Sequence, residues 1–246
     1  MYDLENMKKY FKDDCINQKL LELYEQKWKY IEEIKSKDKD GDIVFQLACI
    51  PENYYKCNYK VLIVGQETYK WHNKKSSAED SMLYTLEKEY MKKTRSPFAL
   101  FAYNFVSRIN NLNSKYYKKS YFAWSNLRKF CYKIDNTKKK KPSSQLPAEI
   151  ENIIDKNFYI LEDEIKIINP DIVLFLTGPI YDEYLKKHLE NIKFENIDNY
   201  KKREFAKVIH SSLPEKSFRI YHPVYLQRIK KKKEYLNKLV ELCQIN

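Results

Sequence analysis

Three groups of polar side chains in this sequence each follow a short apolar run. Gln66, Glu67 and Tyr69 come directly after Val61–Val64 and Gly65. Ser125 and Asn126 follow Tyr121–Trp124, and His222 follows a run over 217–221. Together they offer a carboxylate, two amides, an imidazole and a phenol, groups that donate, accept, carry charge and stack. An apolar run without alternation reads as a strand buried on both faces, as in parallel sheets. In open α/β sheets, ligands bind just past the carboxyl ends of the strands. Gly65, one of only three glycines in 246 residues, can turn the chain there without steric cost. A plainer reading stands beside this one. Glu67 can cap a helix, Asn126 can serve a turn, and His222 can bond its own backbone.

The elements that must carry these groups are legible from periodicity. Residues 3–37 read as helix: Leu20, Leu21, Tyr24, Trp28, Ile31 and Ile34 recur at three- and four-residue spacing, and Asp13 or Asp14 can cap a start. Lys37–Asp42 looks like a fragment of a calcium loop, but the closing glutamate position falls on Cys49 and Gly41 comes too early. Ile43–Ile50 is a short apolar segment leading to the first long strand. Helices are expected over 78–93 and after Ser96-Pro97, where Ser is an N-cap and Pro the first helical residue. Residues 135–148 form a basic loop that includes Lys138–Lys141. An amphipathic helix over 148–168 stops before Pro170. Asp171–Gly178 is the clearest buried strand and feeds a helix from about 179 to 189. Short strands over 205–210 and 217–221 precede a basic helix from about 225 to 244. This βα alternation implies an α/β fold with a parallel sheet flanked by helices.

The totals narrow the class. With 43% hydrophobic and 33% charged residues, the chain has a soluble globular composition, and its length suits one domain with a helical N-terminal extension over about 1–40. No run reaches the roughly 18 apolar residues of a membrane span, and the N-terminus lacks the pattern of a secretory signal. A cytoplasmic monomer is expected. The five cysteines are odd in number and form no Cys-x-x-Cys unit, which argues against a disulfide framework or a bound metal. The net charge of +12 favours a polyanionic partner, with DNA foremost. A composition rich in Lys, Asn, Ile and Tyr throughout also accounts for part of that charge.

In order and placement the three clusters resemble the motifs of the uracil-DNA glycosylase superfamily. Gly65-Gln66-Glu67-Thr68-Tyr69 is similar to its first motif, Gly-Gln-Asp-Pro-Tyr. Asn126 matches its strand-end Asn, and His222-Pro223-Val224-Tyr225-Leu226 is similar to its His-Pro-Ser motif with a following Leu. The likeness spans roughly residues 43–230. It implies a three-layer α/β/α sandwich with a short, mainly parallel central sheet, and hydrolysis of the bond between base and deoxyribose with no metal or other cofactor. Under that resemblance Glu67 stabilises the developing sugar cation and orients water. His222 donates to the base oxygen as charge appears, and Asn126 reads a pyrimidine edge, with Gln66 and Tyr69 completing the pocket. The base must leave the stack, and Leu226 is the candidate wedge. Ser96, Arg228 and Lys230 are candidate phosphate contacts.

The chain departs from the family pattern at three places. Glu67 is one methylene longer than Asp, Thr68 replaces a proline, and Val224 replaces a serine. The aromatic on which a base would stack has no assignment beyond Trp71 or Tyr84. A second class of function is a non-catalytic protein of the same fold that binds nucleic acid or a nucleotide. An unrelated α/β hydrolase lacks support, since there is no Gly-x-Ser-x-Gly elbow and no phosphate-binding Gly-rich loop. Leu226 can equally be a core residue, and the lysine runs can be solvated faces.

Overall fold

The computed structural model describes residues 4–39, 41–68, 77–90, 96–112, 121–132 and 146–244. Tyr69, Trp71, His72 and Lys138–Lys141 lie outside these. The run Val61–Val64 builds the centre of a six-stranded mixed sheet. Its seven-residue strand β2 (Val61–Glu67) lies between β3 (Ala123–Arg128) and β5 (Ile172–Phe175), and β5 pairs in turn with β8 (Lys216–Ile220). These four strands are parallel. Two antiparallel strands, β7 (Phe205–Ile209) and β6 (Lys193–Asn196), extend the sheet beyond β8. A separate pair, β1 (Ile43–Phe45) and β4 (Phe130–Tyr132), runs antiparallel.

Strand alternation sends side chains to two cores, one on each face. Leu62, Val64, Val173 and Phe175 enter the first; Val61, Ile63, Ile172 and Leu174 enter the second, and all eight are fully buried. Burying a side chain of this size stabilises the fold by roughly 1.5–3 kcal/mol, so β2 and β5 anchor the molecule. The first core is covered by α2 (Cys15–Lys37), α3 (Ala78–Tyr84), α5 (Ala148–Asn157) and α6 (Leu161–Ile168). The second is covered by α4 (Pro97–Ile109), α8 (Pro223–Arg228) and α9 (Lys232–Gln244). The remaining α-helices among the described residues are α1 (Leu4–Asp13) and α7 (Asp182–His188).

Several long helices expected from periodicity are broken. Residues 3–37 divide at Asp14, whose carboxylate caps α2 by accepting the Asn17 N–H at 2.7 Å. The 148–168 helix divides between Asn157 and Leu161, and α6 ends at Asn169, a left-handed residue (φ 46) just before Pro170. The C-terminal basic helix divides at Lys230, also left-handed (φ 59). Over 179–189 a 3-10 turn, Pro179–Tyr181, precedes the short α7. The N-terminal segment is built into the first core: Leu20, Tyr24, Ile31 and Ile34 are fully or almost fully buried there. The Tyr24 hydroxyl donates to Glu164 at 2.6 Å and accepts the Ala48 N–H at 3.0 Å.

One polar cluster is sealed in this first core. Lys129 Nζ lies 2.7 Å from both Glu164 carboxylate oxygens and 2.6 Å from Ser125 Oγ, and Ser125 donates to Glu164 at 2.7 Å. Both ends of the ion pair are within 1% of complete burial. Ser125 and Asn126, neighbours on β3, therefore project to opposite sides of the sheet, and only Asn126 can take part in strand-end chemistry.

Candidate functional site

The carboxyl ends of β3, β2, β5 and β8 lie side by side, and they carry Asn126, Glu67, Thr177 and His222. Parallel pairing sets this row. Gly65 is in register with Asn126 and Glu67 with Arg128, while Val64 pairs with Phe175. Two residues past that last pair, Gln66 Nε2 donates to the Thr177 carbonyl at 2.7 Å, tying the ends of β2 and β5. The Gly178 N–H donates to the Ile220 carbonyl at 2.9 Å, tying β5 to β8. Gly178 holds a positive φ of 69, and a Cβ there would lie 3.5 Å from the Tyr221 ring and 3.9 Å from the main-chain nitrogen of His222. The loop after β5 thus lies directly against the residue that precedes His222.

His222 caps α8, its Nδ1 accepting the Val224 N–H at 3.3 Å. Burial pushes its pKa down to about 4, so the ring is neutral at pH 7. With Nδ1 committed as acceptor, the proton sits on Nε2, and that edge is a donor. The ring stacks on Phe98 with centroids 5.7 Å apart and planes 21° apart. Phe98 in turn lies 5.1 Å from the Trp124 ring. Trp124 Nε1–H donates to Asn126 Oδ1 at 3.3 Å, and Asn126 Nδ2 donates to Gln46 Oε1. The structure therefore links His222 and Asn126 through two aromatic rings. Asn126 is 1% exposed and both ends of its amide are engaged. It does not itself present a free edge.

Gly65 is required by this packing: a Cβ there would overlap Asn126 Oδ1 and come within 3.3 Å of Trp124 Nε1. The glycine seen in the sequence as a turn residue lies inside β2 and serves close approach between two strands.

Glu67 turns the other way along the rim. The Tyr181 hydroxyl hydrogen-bonds its carboxylate, and the Arg128 guanidinium lies close enough to favour the charged form. Burial nevertheless dominates and raises its pKa above the ordinary carboxylate value. Arg128 is itself held by Glu151 and by the Tyr184 hydroxyl, with its guanidinium 5.1 Å from the Tyr184 ring centre. Thr68, which stands where the resembled motif has a stiffening proline, is fully buried. Its hydroxyl donates toward the Arg128 and Lys129 carbonyls at 3.3 and 3.0 Å. That bond fixes the chain at Thr68 by a different means.

Two buried polar atoms in this row, Glu67 Oε2 and Thr177 Oγ1, and a third just after β1, Gln46 Nε2, have no hydrogen-bond partner among the described residues. An unmatched buried donor or acceptor costs roughly 1–3 kcal/mol. A ligand or an ordered water that supplies the missing partner would offset such a cost.

The other candidates fall less centrally. Ser96 caps α4 as expected, accepting the Ala99 N–H at 3.2 Å, with Pro97 beginning the helix. Leu226 is completely buried in the second core. The periodicity of α8 turns it inward, so it is a packing residue here and does not serve as a wedge. Among the described residues, the large apolar side chains exposed near the rim are Ile180 (83%) and Val224 (52%). Arg228 is exposed, its guanidinium 4.9 Å from the Tyr225 ring centre, and Lys230 is exposed in the turn before α9. Tyr84 sits on α3, which packs against α2 over the first core. The residues that sequence reasoning missed are Phe98 and Gln46. Phe98 was hidden in the apolar face of α4. Gln46 is the one polar residue in the apolar run Ile43–Ile50, a signal that was present and unread.

Elsewhere, a groove of about 360 Å³ lined by Asp198, Lys207, Glu215 and Lys216 lies at the opposite end of β8 from His222. Its charges are balanced. Among the described residues no group of three or more His, Cys, Asp or Glu could hold a metal ion, and no helix is long and apolar enough to cross a membrane. Compared with protein-family models and with curated proteins, the chain matches none.

Proposed function

We propose that the chain hydrolyses the N-glycosidic bond of uracil or another deaminated base in DNA, as a divergent relative of the uracil-DNA glycosylase superfamily. The observation that carries the reading is the state of His222. It is a neutral imidazole with Nδ1 tied to a backbone N–H, which leaves Nε2–H as the donor, and it stacks on an aromatic ring at a strand end. Such a donor suits a base oxygen that becomes anionic as the bond breaks. Phe98, packed between His222 and Trp124, holds the imidazole in place at the strand end. Glu67 offers an acceptor oxygen with no partner among the described residues, suited to a developing sugar cation or its attacking water. The basic charge supports contact with phosphates.

The test is abasic-site formation on single- and double-stranded oligonucleotides that carry uracil or hypoxanthine. The expected result is cleavage that Glu67→Gln abolishes while oligonucleotide binding survives. A folded protein that releases no base from either substrate refutes the reading. One observation favours a second reading, a nucleic-acid or nucleotide binder without turnover: the Asn126 amide is sealed by Gln46 and Trp124. Binding of the uracil oligonucleotide without base release, unchanged by Glu67→Gln, selects it.

A further inference from the structure

Resting on the proposed reading, we infer that Gln46 sets base specificity: its buried side-chain NH2 donates to a ring carbonyl and rejects an amino group, and the Trp124 indole fixes it in that orientation. The argument begins with Trp124. An indole N–H can only donate, so the amide atom of Asn126 facing it at 3.3 Å must be the oxygen. The Asn126 nitrogen then faces Gln46, so the Gln46 atom that meets it must also be oxygen. Rotating either amide alone sets two donors or two acceptors against each other. Rotating both sets the Asn126 nitrogen against the indole N–H. One donor therefore dictates the sense of two amides in series.

What remains is Gln46 Nε2, in a side chain 1% exposed, with no hydrogen-bond partner among the described residues. It meets Asn126, which lies in register with Gly65 near the carboxyl end of β3, so it stands at the end of the sheet to which the base is assigned. A buried donor of fixed sense welcomes an acceptor and rejects another donor. Deamination makes that exchange, turning the exocyclic amino group of cytosine or adenine into a carbonyl. The pair Trp124–Gln46 would thus distinguish damaged from parent base without contact from Asn126, whose role is to relay the orientation. Sites that hydrogen-bond a substrate group discriminate far more sharply than apolar pockets, because the mismatched partner leaves buried polar atoms unpaired.

The experiment uses the full chain and single-stranded oligonucleotides carrying one 2′-fluoro-deoxyuridine or one 2′-fluoro-deoxycytidine, sugars that resist hydrolysis, with affinities from fluorescence anisotropy. The wild type is expected to favour uracil over cytosine at least tenfold. Trp124→Phe keeps the ring and removes the N–H, and Gln46→Met removes the donor. Each should bring the ratio to within about threefold of one, with a cooperative thermal transition as the check of folding. Gln46→Glu, which replaces the donor by an acceptor, should favour cytosine. If folded Trp124→Phe and Gln46→Met keep the wild-type ratio, the inference is overturned and the glycosylase reading stands. If the wild type itself binds uracil no better than cytosine, the inference falls; if in addition it releases no base, so does the reading on which it rests.

Discussion

Gly65→Ala tests the packing on which the whole rim depends. The added methyl would overlap Asn126 Oδ1 and press on Trp124 Nε1 at 3.3 Å. Asn126 cannot yield cheaply, because its amide is bonded to Trp124 on one side and Gln46 on the other and is 1% exposed. Overpacking of this kind costs about 1–3 kcal/mol, and each hydrogen bond lost in the adjustment adds roughly 1 kcal/mol. A total of about 2–4 kcal/mol, at about 2–4 °C per kcal/mol for a chain of this size, lowers Tm by roughly 5–15 °C. The sharper measurement is a double-mutant cycle by urea unfolding. Asn126→Ala alone strands the indole N–H and the Gln46 oxygen, at roughly 1–3 kcal/mol. It also removes the atom that the new methyl strikes. The double variant should therefore cost less than the sum of the two singles by about 1–2 kcal/mol, within the range seen for residues in contact. Additivity within about 0.5 kcal/mol would refute the claim that Gly65 exists to admit Asn126.

Two further outcomes follow from buried charge. Lys129→Met leaves the Glu164 carboxylate sealed with Tyr24 and Ser125, and should destabilise by about 3–5 kcal/mol in chemical denaturation. Adding Glu164→Leu should recover much of that loss, and a double variant as unstable as the single would refute the account. His188 and His222 have pKa values pushed by burial to about 3 and about 4, against 6.5 for the free side chain. Below pH 6.5 the unfolded chain binds protons that the folded chain refuses. Stability is thus full above 6.5 and falls as pH drops toward 4, by roughly 1.4 kcal/mol per unit per fully buried group. His188, whose Nδ1 accepts the Leu161 N–H and whose Nε2 meets the Leu127 carbonyl, should dominate. A urea midpoint that stays flat between pH 7 and 4.5 would contradict this.

The sheet was legible because its strands bury both faces. Val61–Val64 and Ile172–Phe175 carry no polar residue, and strands placed over 205–210 and 217–221 correspond to β7 and β8. The edge strand β6, Lys193–Asn196, was not legible: three of its four residues are exposed, so no apolar pattern marks it. The break at Asp14 was signalled by a carboxylate able to cap a helix start, whereas the break at Lys230 carried no such signal, and packing on the cores decides where the chain bends there. The site was half legible. Strand-end polar residues announce themselves when they follow apolar runs. Phe98 gains its meaning only when α4 lies over the sheet, and Leu226 shares a family-like spacing with a residue whose exposure only the fold can decide.

Burial moves Glu67 and His222 in opposite directions on the pH scale, yet brings both toward their neutral forms. A ligand that carries positive charge where the sugar would sit must therefore restore charge to Glu67 when it binds. Arg128 and Tyr181 hold part of the carboxylate's ionised character in place, but Oε2 lacks a partner among the described residues and burial prevails. Binding and deprotonation are then linked. An oligonucleotide with a pyrrolidine in place of one deoxyribose, protonated throughout the range, should bind more tightly as pH rises above 4.5, the free carboxylate value, and level off once Glu67 is ionised. Glu67→Gln should flatten the profile at the weak end, while an oligonucleotide with a neutral tetrahydrofuran at the same place shows no such rise in either protein. A pH profile for the cationic probe that is the same in wild type and Glu67→Gln would mean that Glu67 meets its partners only within the fold, through Tyr181 and Arg128. The sugar-facing half of the proposed site would then have to be sought in another residue.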